Sequence, residues 1–433
     1  MNFRESESYL LSLGNEVETM KLGLENIHTL LDALGSPQNN YLKVQVAGTN
    51  GKGSVCAFLD SICFEAGIST GLYTSPHLVS ITERIKIGGN DVSETEFARL
   101  ATLVRETSES LVANGKLERV PTYFEQVTAM ALQAFADAKV QLAILETGLG
   151  GRFDATTATN AEIAAITRID LDHQEYLGDT IEEIAGEKAA IIHAGSRVVI
   201  GGQQPIVMQI LLDRCAMAGV VPLTFCEPHI WAFDTTKHSN VVEFRTNRFD
   251  YWDSSLGLAG RHQIENACTA VLVAETLRVD FSLSIDEESV WNGLEKARHP
   301  GRLEYVGRFL FDGAHNMGGA KALREYLDEF VTRPITMIFA AMKDKEIADI
   351  GEILFPKAET LILTKPDNSR AIDAAEIVGQ MPLGIDANKV VVTRTVEDAI
   401  NRAVEFTGDD GLILITGSLY LVGEAKRILG SQI

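Results

Sequence analysis

The sequence has few basic residues for its length, and this limits the partners that the protein can bind. Its 433 residues contain 38 Lys and Arg against 60 Asp and Glu, which gives a formal net charge of −22. Nucleic acids and anionic membranes attract basic surfaces and repel a strongly acidic one. We therefore expect neither as a partner, and any anionic substrate must meet positive charge that is concentrated locally.

Cysteines and long apolar runs are also scarce. The cysteines show no CxxC pair and no metal-ligand spacing, and their number is odd, which does not suggest a disulfide framework. No apolar run approaches the roughly 20 residues of a membrane helix, and the opening stretch MNFRESESYLLSLG lacks the apolar core of a signal peptide. These features predict a protein of a reducing compartment, with the cytoplasm as the expected location.

What the sequence does contain is an alternation of short β-branched runs with longer helical patterns. Hydrophobic residues make up 45% and charged residues 23%, a composition typical of a folded globular chain. Runs such as YLKVQVAG, QLAILETG, AEIAAIT, RFLFDGAH, ITMIFAAM and GLILITGS predict strands, and helical patterns follow several of them. The alternation predicts an α/β fold with a mostly parallel sheet, and ligands are expected beyond the carboxyl ends of its strands.

The chain is too long for one compact core, since about 150 residues per domain gives two to three domains. Between roughly residues 228 and 256, short alternating stretches such as NVVEFRT predict an antiparallel β excursion. The segment LEKARHPGRLEYV carries the sequence's one Pro-Gly dipeptide, and a new strand–helix series follows it. We therefore predict one domain over residues 1–299 and a second over residues 300–433.

The stretch AGTNGKGS, residues 47–54, has the context of a phosphate-binding loop. It lies between an apolar run and a helical pattern, and Gly48, Gly51 and Gly53 let backbone N–H groups approach phosphate oxygens. Lys52 adds a full positive charge. Gly53 stands where the usual loop has the Ser or Thr that holds Mg²⁺, so a metal site would need ligands from elsewhere in the chain. The alternative is a glycine-rich turn without a ligand.

Other candidate residues follow predicted strands, and each has a plain alternative. Glu146 ends an apolar run before a glycine-rich stretch, so its carboxylate either suits Mg²⁺ or faces solvent. His173 is either a ligand or a packed residue, and Lys188, which lies among glutamates, is by itself typical of a solvated helix lysine. Turn and capping roles alone explain the remaining candidates, which are Asn266, Arg302, Asp312 and His315.

Ten short motifs occur in order between about residue 19 and residue 424. They are GTNGKGS, YTSPHL, TYFE, LETGLGGRFDAT, LDHQEYLGDTIEEIAGEKAAI, GRHQIENA, PGRLE, FDGAHN, AMKDK and TGSLYLVGE. Together they resemble the folylpolyglutamate synthase/dihydrofolate synthase family, a branch of the Mur ligase superfamily. The resemblance implies a P-loop ATPase domain followed by a smaller Rossmann-like α/β domain, with substrates in the cleft between them. It also implies an ATP-dependent amide ligase that adds L-glutamate through an acyl phosphate.

The resemblance assigns roles to individual residues. For ATP it implies Asn50, Gly51, Lys52, Gly53, Ser54, Asn266, Arg302 and Asp312, and for Mg²⁺ it implies Ser75, Glu146 and His173. For the pterin substrate it implies Thr19, Met20, Lys21, Leu22, Thr122, Tyr123, Phe124, Phe153, Asp154 and Ala155, and for glutamate His315 and Ser418. The implied catalytic residues are Lys52, Lys188 and His173. Lys188 matches a lysine that is carbamylated in the family, a modification that turns its cation into an anion.

The implied cofactors are ATP and Mg²⁺, as one ion or two, with K⁺ as a further candidate. The implied protein is a cytoplasmic monomer that acts on small molecules, namely L-glutamate, ATP and a pterin or folate acceptor. Dihydropteroate, reduced folates or both remain open as acceptors, and Thr122 and Asp154 favour an enzyme that uses both. A folylpolyglutamate synthase with one activity is the alternative.

Two other hypotheses are weaker. A muramyl-peptide ligase would share the P-loop, but TSPHL, TYFE and GLGGRFDAT resemble the folate branch. A non-catalytic nucleotide-binding regulator would be expected to lose Lys52, Glu146 or His173, and all three are present.

The sequence departs from the family pattern at three places. These are Thr157, Met317 and the charged pair Arg168 and Asp170. We expect them near the substrate and glutamate sites, so they bear on substrate preference rather than on ATP chemistry.

Overall fold

The computed structural model describes residues 1–14, 23–234 and 239–430. The chain forms two compact units. One comprises Met1–Trp231, Val241–Leu256 and Glu265–Ala297, and the other comprises Ala232–Asn240, Gly257–Ile264 and Arg298–Ile433. The predicted α/β class with a mostly parallel sheet and a smaller second α/β domain is confirmed. The exact domain bounds at residues 299 and 300 stay a prediction.

An eight-stranded sheet forms the core of the first unit. Its strands are β1 (Leu42–Ala47), β2 (Thr70–Tyr73), β3 (Ile85–Ile87), β4 (Asn90–Asp91), β5 (Leu142–Glu146), β6 (Ile163–Ile166), β7 (Arg197–Ile200) and β8 (Pro222–Leu223). Their order in the sheet is β4-β3-β2-β5-β1-β6-β7-β8. Pairing is parallel from β2 to β8, and β3 and β4 add an antiparallel edge. β1, β5 and β6 are almost wholly buried, as expected of parallel strands covered by helices on both faces.

Ten helices accompany this sheet in the described part of the chain. They are α1 (Phe3–Ser12), α2 (Glu25–Ala33), α3 (Lys52–Glu65), α4 (Glu94–Ala113), α5 (Tyr123–Ala138), α6 (Gln174–Leu177), α7 (Ile181–Ala189), α8 (Pro205–Ala218), α9 (His262–Asp280) and α10 (Glu287–Lys296). Short 3₁₀ turns cover Pro37–Asn40, Ile81–Arg84 and Ala155–Thr159. Helices α5 and α7 each begin with a capping box, in which a Thr and a Glu three residues later bond each other's backbone N–H groups. These caps fix where α5 and α7 start.

The predicted antiparallel excursion is a three-stranded sheet. Its strands are β9 (Cys226–Asp234), β10 (Ser239–Thr246) and β11 (Asp250–Ser255), in the order β11-β10-β9. β10 and β11 pair antiparallel, with a bulge between Val242 and Phe244.

A six-stranded sheet forms the core of the second unit. Its strands are β12 (Glu304–Val306), β13 (Phe309–Phe311), β14 (Ile335–Phe339), β15 (Thr360–Leu363), β16 (Val390–Val392) and β17 (Leu412–Thr416). They run in the order β12-β13-β17-β14-β15-β16, and only the β12–β13 pair is antiparallel. The accompanying helices are α11 (Met317–Phe330), α12 (Ile347–Leu354), α13 (Ala374–Gly379), α14 (Val396–Phe406) and α15 (Leu419–Gly430), with 3₁₀ turns at Phe355–Lys357 and Ala387–Lys389.

In the described ranges, no helix combines the length and the apolar character that a membrane crossing requires.

Candidate active site

The predicted phosphate-binding loop joins β1 to α3 in the first unit, and its shape requires glycine at two positions. Gly51 caps α3 with φ 91°, a left-handed conformation that glycine adopts without steric cost. A Cβ atom at Gly51 would lie 2.1 Å from Oδ1 of Asn266, and one at Gly48 would lie 1.9 Å from Oγ1 of Thr167. The structure therefore brings Asn266 against the loop. Gly53 and Ser54 lie in the first turn of α3.

Two lysines donate hydrogen bonds to one carbonyl of this loop. Nζ of Lys52 lies 3.0 Å from the Gly48 oxygen and 3.2 Å from that of Thr49, while Nζ of Lys188 lies 2.9 Å from the Gly48 oxygen. Burial, and to a smaller extent the charge of Lys52, lower the pKa of Lys188 from 10.5 to about 7. Asp172 and Asp154 act in the opposite direction. The solvated lysine suggested by the helical pattern is in fact a buried one.

The pair Arg168 and Asp170 supports the loop from behind. The backbone N–H groups of Thr49 and Asn50 donate to the Arg168 carbonyl at 2.9 and 3.1 Å. The Asn50 amide donates to the Asp170 carboxylate at 3.2 Å, and Gln204 donates to the same carboxylate at 3.3 Å. The contacts of this pair are thus with the phosphate-binding loop and with Gln204, and its expected place near the substrate and glutamate sites stays a prediction.

Two of the three predicted Mg²⁺ ligands are in contact. The backbone N–H of Ser75 donates to Oε2 of Glu146 at 3.2 Å, which places the Ser75 hydroxyl and a buried carboxylate at neighbouring strand ends. His173 precedes α6 with a positive φ of 52°, and its ring lies 4.0 Å from the Asp172 carboxylate. No group of three or more His, Cys, Asp or Glu side chains arranged for a metal occurs in the part of the chain that is described.

The oxygens of Ser75 and Glu146 fit Mg²⁺ better than a metal whose ligands all come from the protein. Mg²⁺ prefers hard oxygen ligands and usually takes one or two protein ligands, with waters and substrate phosphates completing its shell. Ser75 and Glu146 offer such oxygens, whereas the imidazole of His173 is a less typical Mg²⁺ ligand. The chemistry of the pair therefore agrees with an ion shared with a nucleotide.

Asp154, which the resemblance assigns to the pterin site, uses both of its oxygens inside its own loop. Oδ2 accepts the N–H groups of Gly148 and Leu149 at 2.8 and 3.1 Å, and Oδ1 accepts the N–H and hydroxyl of Thr156 at 3.0 and 2.5 Å. Burial raises the pKa of Asp154, and these hydrogen bonds counteract the rise. Asp154 thus holds the glycine-rich loop in shape.

The other described acceptor candidates lie at the start of α5 and in that loop. Thr122 caps α5. The ring of Phe124 packs against Gly148, where an added Cβ atom would lie 2.5 Å from the ring. Tyr123 is buried beneath the Arg84 guanidinium, 5.5 Å from the ring centroid. Phe153 and Ala155 flank Asp154 in the chain. The candidates Thr19, Met20, Lys21 and Leu22 lie outside the described residues.

A cavity of about 510 Å³ lies along the same loop. Its walls are Leu149, Gly150, Gly151, Arg152, Phe153, Tyr176, Leu177, Gly178, Glu183, Gly186 and Glu187. Arg152 pairs with Glu187 across it at 2.8 Å. Its volume is in the range of small-molecule sites.

The candidates in the second unit gather at the carboxyl ends of the neighbouring strands β13 and β17. The buried Asp312 accepts hydrogen bonds from the N–H groups of Leu303 and Ala314 at 3.0 and 2.9 Å. Burial raises the pKa of Asp312, and the positive charge of Arg302 partly offsets this rise. Nδ1 of His315 lies 2.7 Å from the Gly313 carbonyl oxygen. The buried Ser418 follows β17, and its hydroxyl accepts the N–H of a residue in α15 at 3.2 Å.

The two remaining departures from the family pattern have local explanations. The Thr157 hydroxyl accepts the Gln45 amide and donates to the Gly151 carbonyl, both at 2.7 Å, so it helps to hold the glycine-rich loop. Met317 is the first residue of α11, after Asn316 as the cap. It lies in the second unit, two residues after His315 in the chain.

Sequence reasoning missed several buried polar residues at these sites. Gln45 and Thr167 lie on or just after central strands, and a polar residue inside an apolar strand run is the signal that marks them. His77 accepts a hydrogen bond from the Arg84 guanidinium at 2.8 Å, and burial lowers the pKa of His77 to about 3. Burial and the charge of Arg302 lower the pKa of His262 in the second unit to about 4.

Comparison with known proteins identifies the family. The Mur ligase middle domain matches residues 46–274, and the glutamate ligase domain of Mur ligases matches residues 301–419. A Bacillus subtilis protein named dihydrofolate synthase/folylpolyglutamate synthase is 34% identical over 427 residues, which cover 95% of each chain. The chain belongs to the folylpolyglutamate synthase/dihydrofolate synthase family of Mur ligases. The predicted resemblance and the ligase class are thereby confirmed.

Two further relatives of this family member differ in how much of their own length the chain covers. A solved structure of Mycobacterium tuberculosis folylpolyglutamate synthase complexed with ADP superposes with a TM-score of 0.91 at 31% identity, covering 99% of this chain and 98% of that one. A Halobacterium salinarum protein, named a probable bifunctional folylpolyglutamate synthase/dihydropteroate synthase, is 34% identical over 433 residues. The match covers 98% of this chain but 51% of that relative, so the chain spans about half of its length.

Proposed function

We propose that this chain is an ATP-dependent amide ligase that joins L-glutamate to dihydropteroate and to reduced folates. The observation that carries the proposal is the loop at Gly48, where Lys52 and Lys188 converge on one carbonyl of a phosphate-binding turn. The ADP-bound Mycobacterium tuberculosis relative and the name of the Bacillus subtilis relative support the nucleotide and the acceptors.

The chemistry begins with the acceptor carboxylate, which resists amine attack because its oxygen is a poor leaving group. A carboxylate oxygen attacks the γ-phosphorus of ATP, the bond to the bridging oxygen breaks, and ADP leaves. The product is an acyl phosphate. The amine of L-glutamate then attacks the carbonyl carbon, inorganic phosphate leaves with its electron pair, and the amine loses a proton. Catalysis of such steps consists mainly of positioning and of stabilising negative charge.

The first unit supplies the groups that stabilise this charge. The backbone N–H groups from Gly51 to Ser54 and the N-terminus of α3 would bind the phosphates. The Lys52 ammonium would exchange its two carbonyl partners for phosphate oxygens, since an ammonium can turn within the loop. Asn266, which lies against Gly51, would contact the same nucleotide.

Ser75 and Glu146 are the residues that would hold Mg²⁺, and His173 is the third candidate ligand. A second Mg²⁺ and K⁺ are further candidate ions. When bound there, Mg²⁺ would neutralise charge on the ATP phosphates. Ser75 and Glu146 would orient the ion from the carboxyl ends of adjacent strands, β2 and β5.

Lys188 is proposed to be carbamylated. A pKa of about 7 leaves a large fraction of its amine neutral near neutral pH, and the neutral amine is the form that reacts with CO₂. The resulting carbamate would place a negative charge beside Lys52, where the structure now has two cations on one carbonyl.

The remaining proposed roles follow the resemblance. Thr122, Tyr123, Phe124, Phe153, Asp154 and Ala155 would serve the acceptor; for Asp154 this role is indirect, because its oxygens hold the loop. Arg302 and Asp312 would contact nucleotide, and His315 and Ser418 would contact glutamate. We further propose domains over residues 1–299 and 300–433, and a cytoplasmic monomer.

ADP release tests the proposal. Purified protein is incubated with ATP, Mg²⁺ and L-glutamate, once with dihydropteroate and once with tetrahydrofolate, and each reaction is repeated without L-glutamate and with the Lys52→Ala variant. We expect release with both acceptors that depends on L-glutamate and on Lys52. Release with tetrahydrofolate alone would assign the alternative, a folylpolyglutamate synthase with one activity. No turnover with either acceptor would overturn the proposal.

A further inference from the structure

Thr147 carries a buried hydroxyl that the proposed reaction does not use. Thr147 follows Glu146 at the carboxyl end of β5 and is 1% exposed. Its backbone N–H donates to the Val46 carbonyl at 3.0 Å, but among the residues described in this structure its Oγ1 has no hydrogen-bond partner. Such a group destabilises the folded state unless something satisfies it, so a partner is expected in the working protein.

The register of the sheet shows which way this hydroxyl points. Val46 of β1 pairs with Glu146 of β5, so the next residues, Ala47 and Thr147, are level with each other and share a face. Ala47 also pairs with Ile166 of β6. Ala47 and Ile166 belong to one buried cluster with Ile184, Ala185 and Ala189 of α7. Thr147 therefore lies on the face of the sheet that α7 covers.

Lys188 is the chemically reactive side chain of α7 at this end of the sheet. Its Nζ donates to the carbonyl oxygen of Gly48, one residue beyond the level of Thr147. A Cβ at Gly151 would lie 2.7 Å from the Glu187 carbonyl oxygen and 3.0 Å from that of Lys188, so the loop that starts at Thr147 lies directly against α7. Lys188 is 4% exposed, so its side chain lies in the protein interior, as the Thr147 hydroxyl does.

We infer that Thr147 positions the carbamate of Lys188, with Oγ1–H donating a hydrogen bond to a carbamate oxygen. The inference rests on the proposed function, of which the carbamate is a part. In the modification, the lone pair of the neutral Lys188 amine forms the C–N bond to CO₂. One C=O π pair moves to its oxygen, and the nitrogen releases a proton to solvent. CO₂ is the co-reactant, and the product is the anion R–NH–COO⁻.

The arrangement gives the new anion two kinds of partner. A hydroxyl that donates to a charged oxygen makes a stronger hydrogen bond than one between neutral groups. The Lys52 ammonium, which shares the Gly48 carbonyl with Lys188, supplies the opposite charge. The hydroxyl that has no partner in the unmodified chain would thus be satisfied by the modification itself.

Carbon-13 NMR with [¹³C]bicarbonate measures the carbamate independently of ligation. The test compares wild type with two variants of Thr147. Thr147→Val keeps the shape of the side chain and removes the hydroxyl, whereas Thr147→Ser keeps the hydroxyl. Lys188→Ala, which cannot form the carbamate, is the blank. We expect a carbamate signal that Lys188→Ala lacks. In Thr147→Val, half-saturation should need about tenfold more bicarbonate, because one hydrogen bond to a charged group is lost. Thr147→Ser should stay within about twofold of wild type.

Thermal unfolding separates this role from a merely structural one. Because Thr147→Val removes a buried unsatisfied hydroxyl, the variant should fold and melt, without bicarbonate, at the wild-type temperature or above it. Equal bicarbonate midpoints for wild type and Thr147→Val would overturn the inference. A wild type that ligates glutamate without a Lys188-dependent signal would also overturn it and leave the proposed function intact. The tenfold shift in a protein that ligates neither acceptor would support the inference and count against the proposed function.

Discussion

Lys52 and Lys188 donate to the same Gly48 carbonyl oxygen, at 3.0 and 2.9 Å, although they are far apart in the sequence. Two ammonium groups at one carbonyl repel each other, and Lys52 also donates to the Thr49 carbonyl. Burial adds to the repulsion and lowers the pKa of Lys188 to about 7. The surroundings of the loop thus make Lys188 an unusually weak base.

The first prediction concerns the pH dependence of stability. The pKa of Lys188 is about 7 in the folded state and about 10.5 in the unfolded chain, so between these values the unfolded state binds more protons. The free energy of unfolding therefore rises with pH through this window, by up to about 1.4 kcal/mol per pH unit. Lys188→Met should remove the rise, and its stability advantage over wild type should be largest below about pH 7.

Urea unfolding in CO₂-depleted buffers, at several pH values across that window, measures the difference. The exposed Lys116→Met serves as the control for removing a lysine. If the free energies of unfolding of wild type and Lys188→Met depended on pH in the same way, the lowered pKa of Lys188 would be contradicted.

The second prediction concerns the shape of the phosphate-binding loop. Gly51→Ala places a Cβ 2.1 Å from Oδ1 of Asn266 and should weaken ADP binding tenfold or more. Gly35→Ala is the matched control, because Gly35 has a similar φ of 84° but open space around its Cβ position. Both variants bear a backbone strain of about 1 kcal/mol, and only Gly51→Ala has the clash. Calorimetric titration with ADP measures the affinity, and equal losses in the two variants would show that the clash is unimportant.

The third prediction concerns Asp170, which holds the loop through Asn50 and Gln204. Asp170→Asn removes the charge that strengthens both hydrogen bonds and should raise KM for ATP several-fold, while KM for L-glutamate stays the same. Asp213→Asn is the control, since Asp213 accepts from a glutamine on an exposed helix face in the same manner. A rise in KM for L-glutamate alone would return Asp170 to the substrate side, where sequence reasoning had placed it.

The fourth prediction concerns the metal. Ser75→Ala removes one hydroxyl beside Glu146 and should raise the Mg²⁺ concentration that gives half-maximal activity, with ADP binding in the absence of Mg²⁺ unchanged. Glu146→Gln should have the larger effect, because it removes a charge. A Mg²⁺ titration of activity compares the three proteins, and curves that coincide for Ser75→Ala and wild type would count against Ser75 as a ligand.

The fold could be read from the sequence because its strands are continuous apolar runs separated by helical patterns. Runs such as QLAILETG become the central parallel strands, and NVVEFRT lies in the antiparallel sheet. The phosphate-binding loop could be read for the same reason, since its residues are adjacent in the chain. The resemblance added the more distant residues as a set.

Other parts of the site depend on contacts between distant segments, which sequence does not reveal. Lys188 has the helical neighbours of a solvated lysine, and only the packing of α7 against the Gly48 loop buries it. Asp170 was expected near the substrate, yet its carboxylate reaches back to Asn50. Asp154 was expected to contact the pterin, yet its oxygens are used by its own loop. For Lys188 and Asp170 the partner comes from a distant segment, whereas Asp154 is held by neighbours within its own loop.

Isotope transfer tests the central claim, acyl phosphate formation, most directly. Dihydropteroate with ¹⁸O in its carboxylate is turned over with ATP, Mg²⁺ and L-glutamate, and the inorganic phosphate is analysed by mass spectrometry. The mechanism predicts one ¹⁸O atom in each phosphate formed, because the attacking carboxylate oxygen stays on phosphorus when the amine displaces it. Phosphate without ¹⁸O, released at the same rate as ADP, would mean that water rather than the carboxylate attacks ATP and would contradict the mechanism.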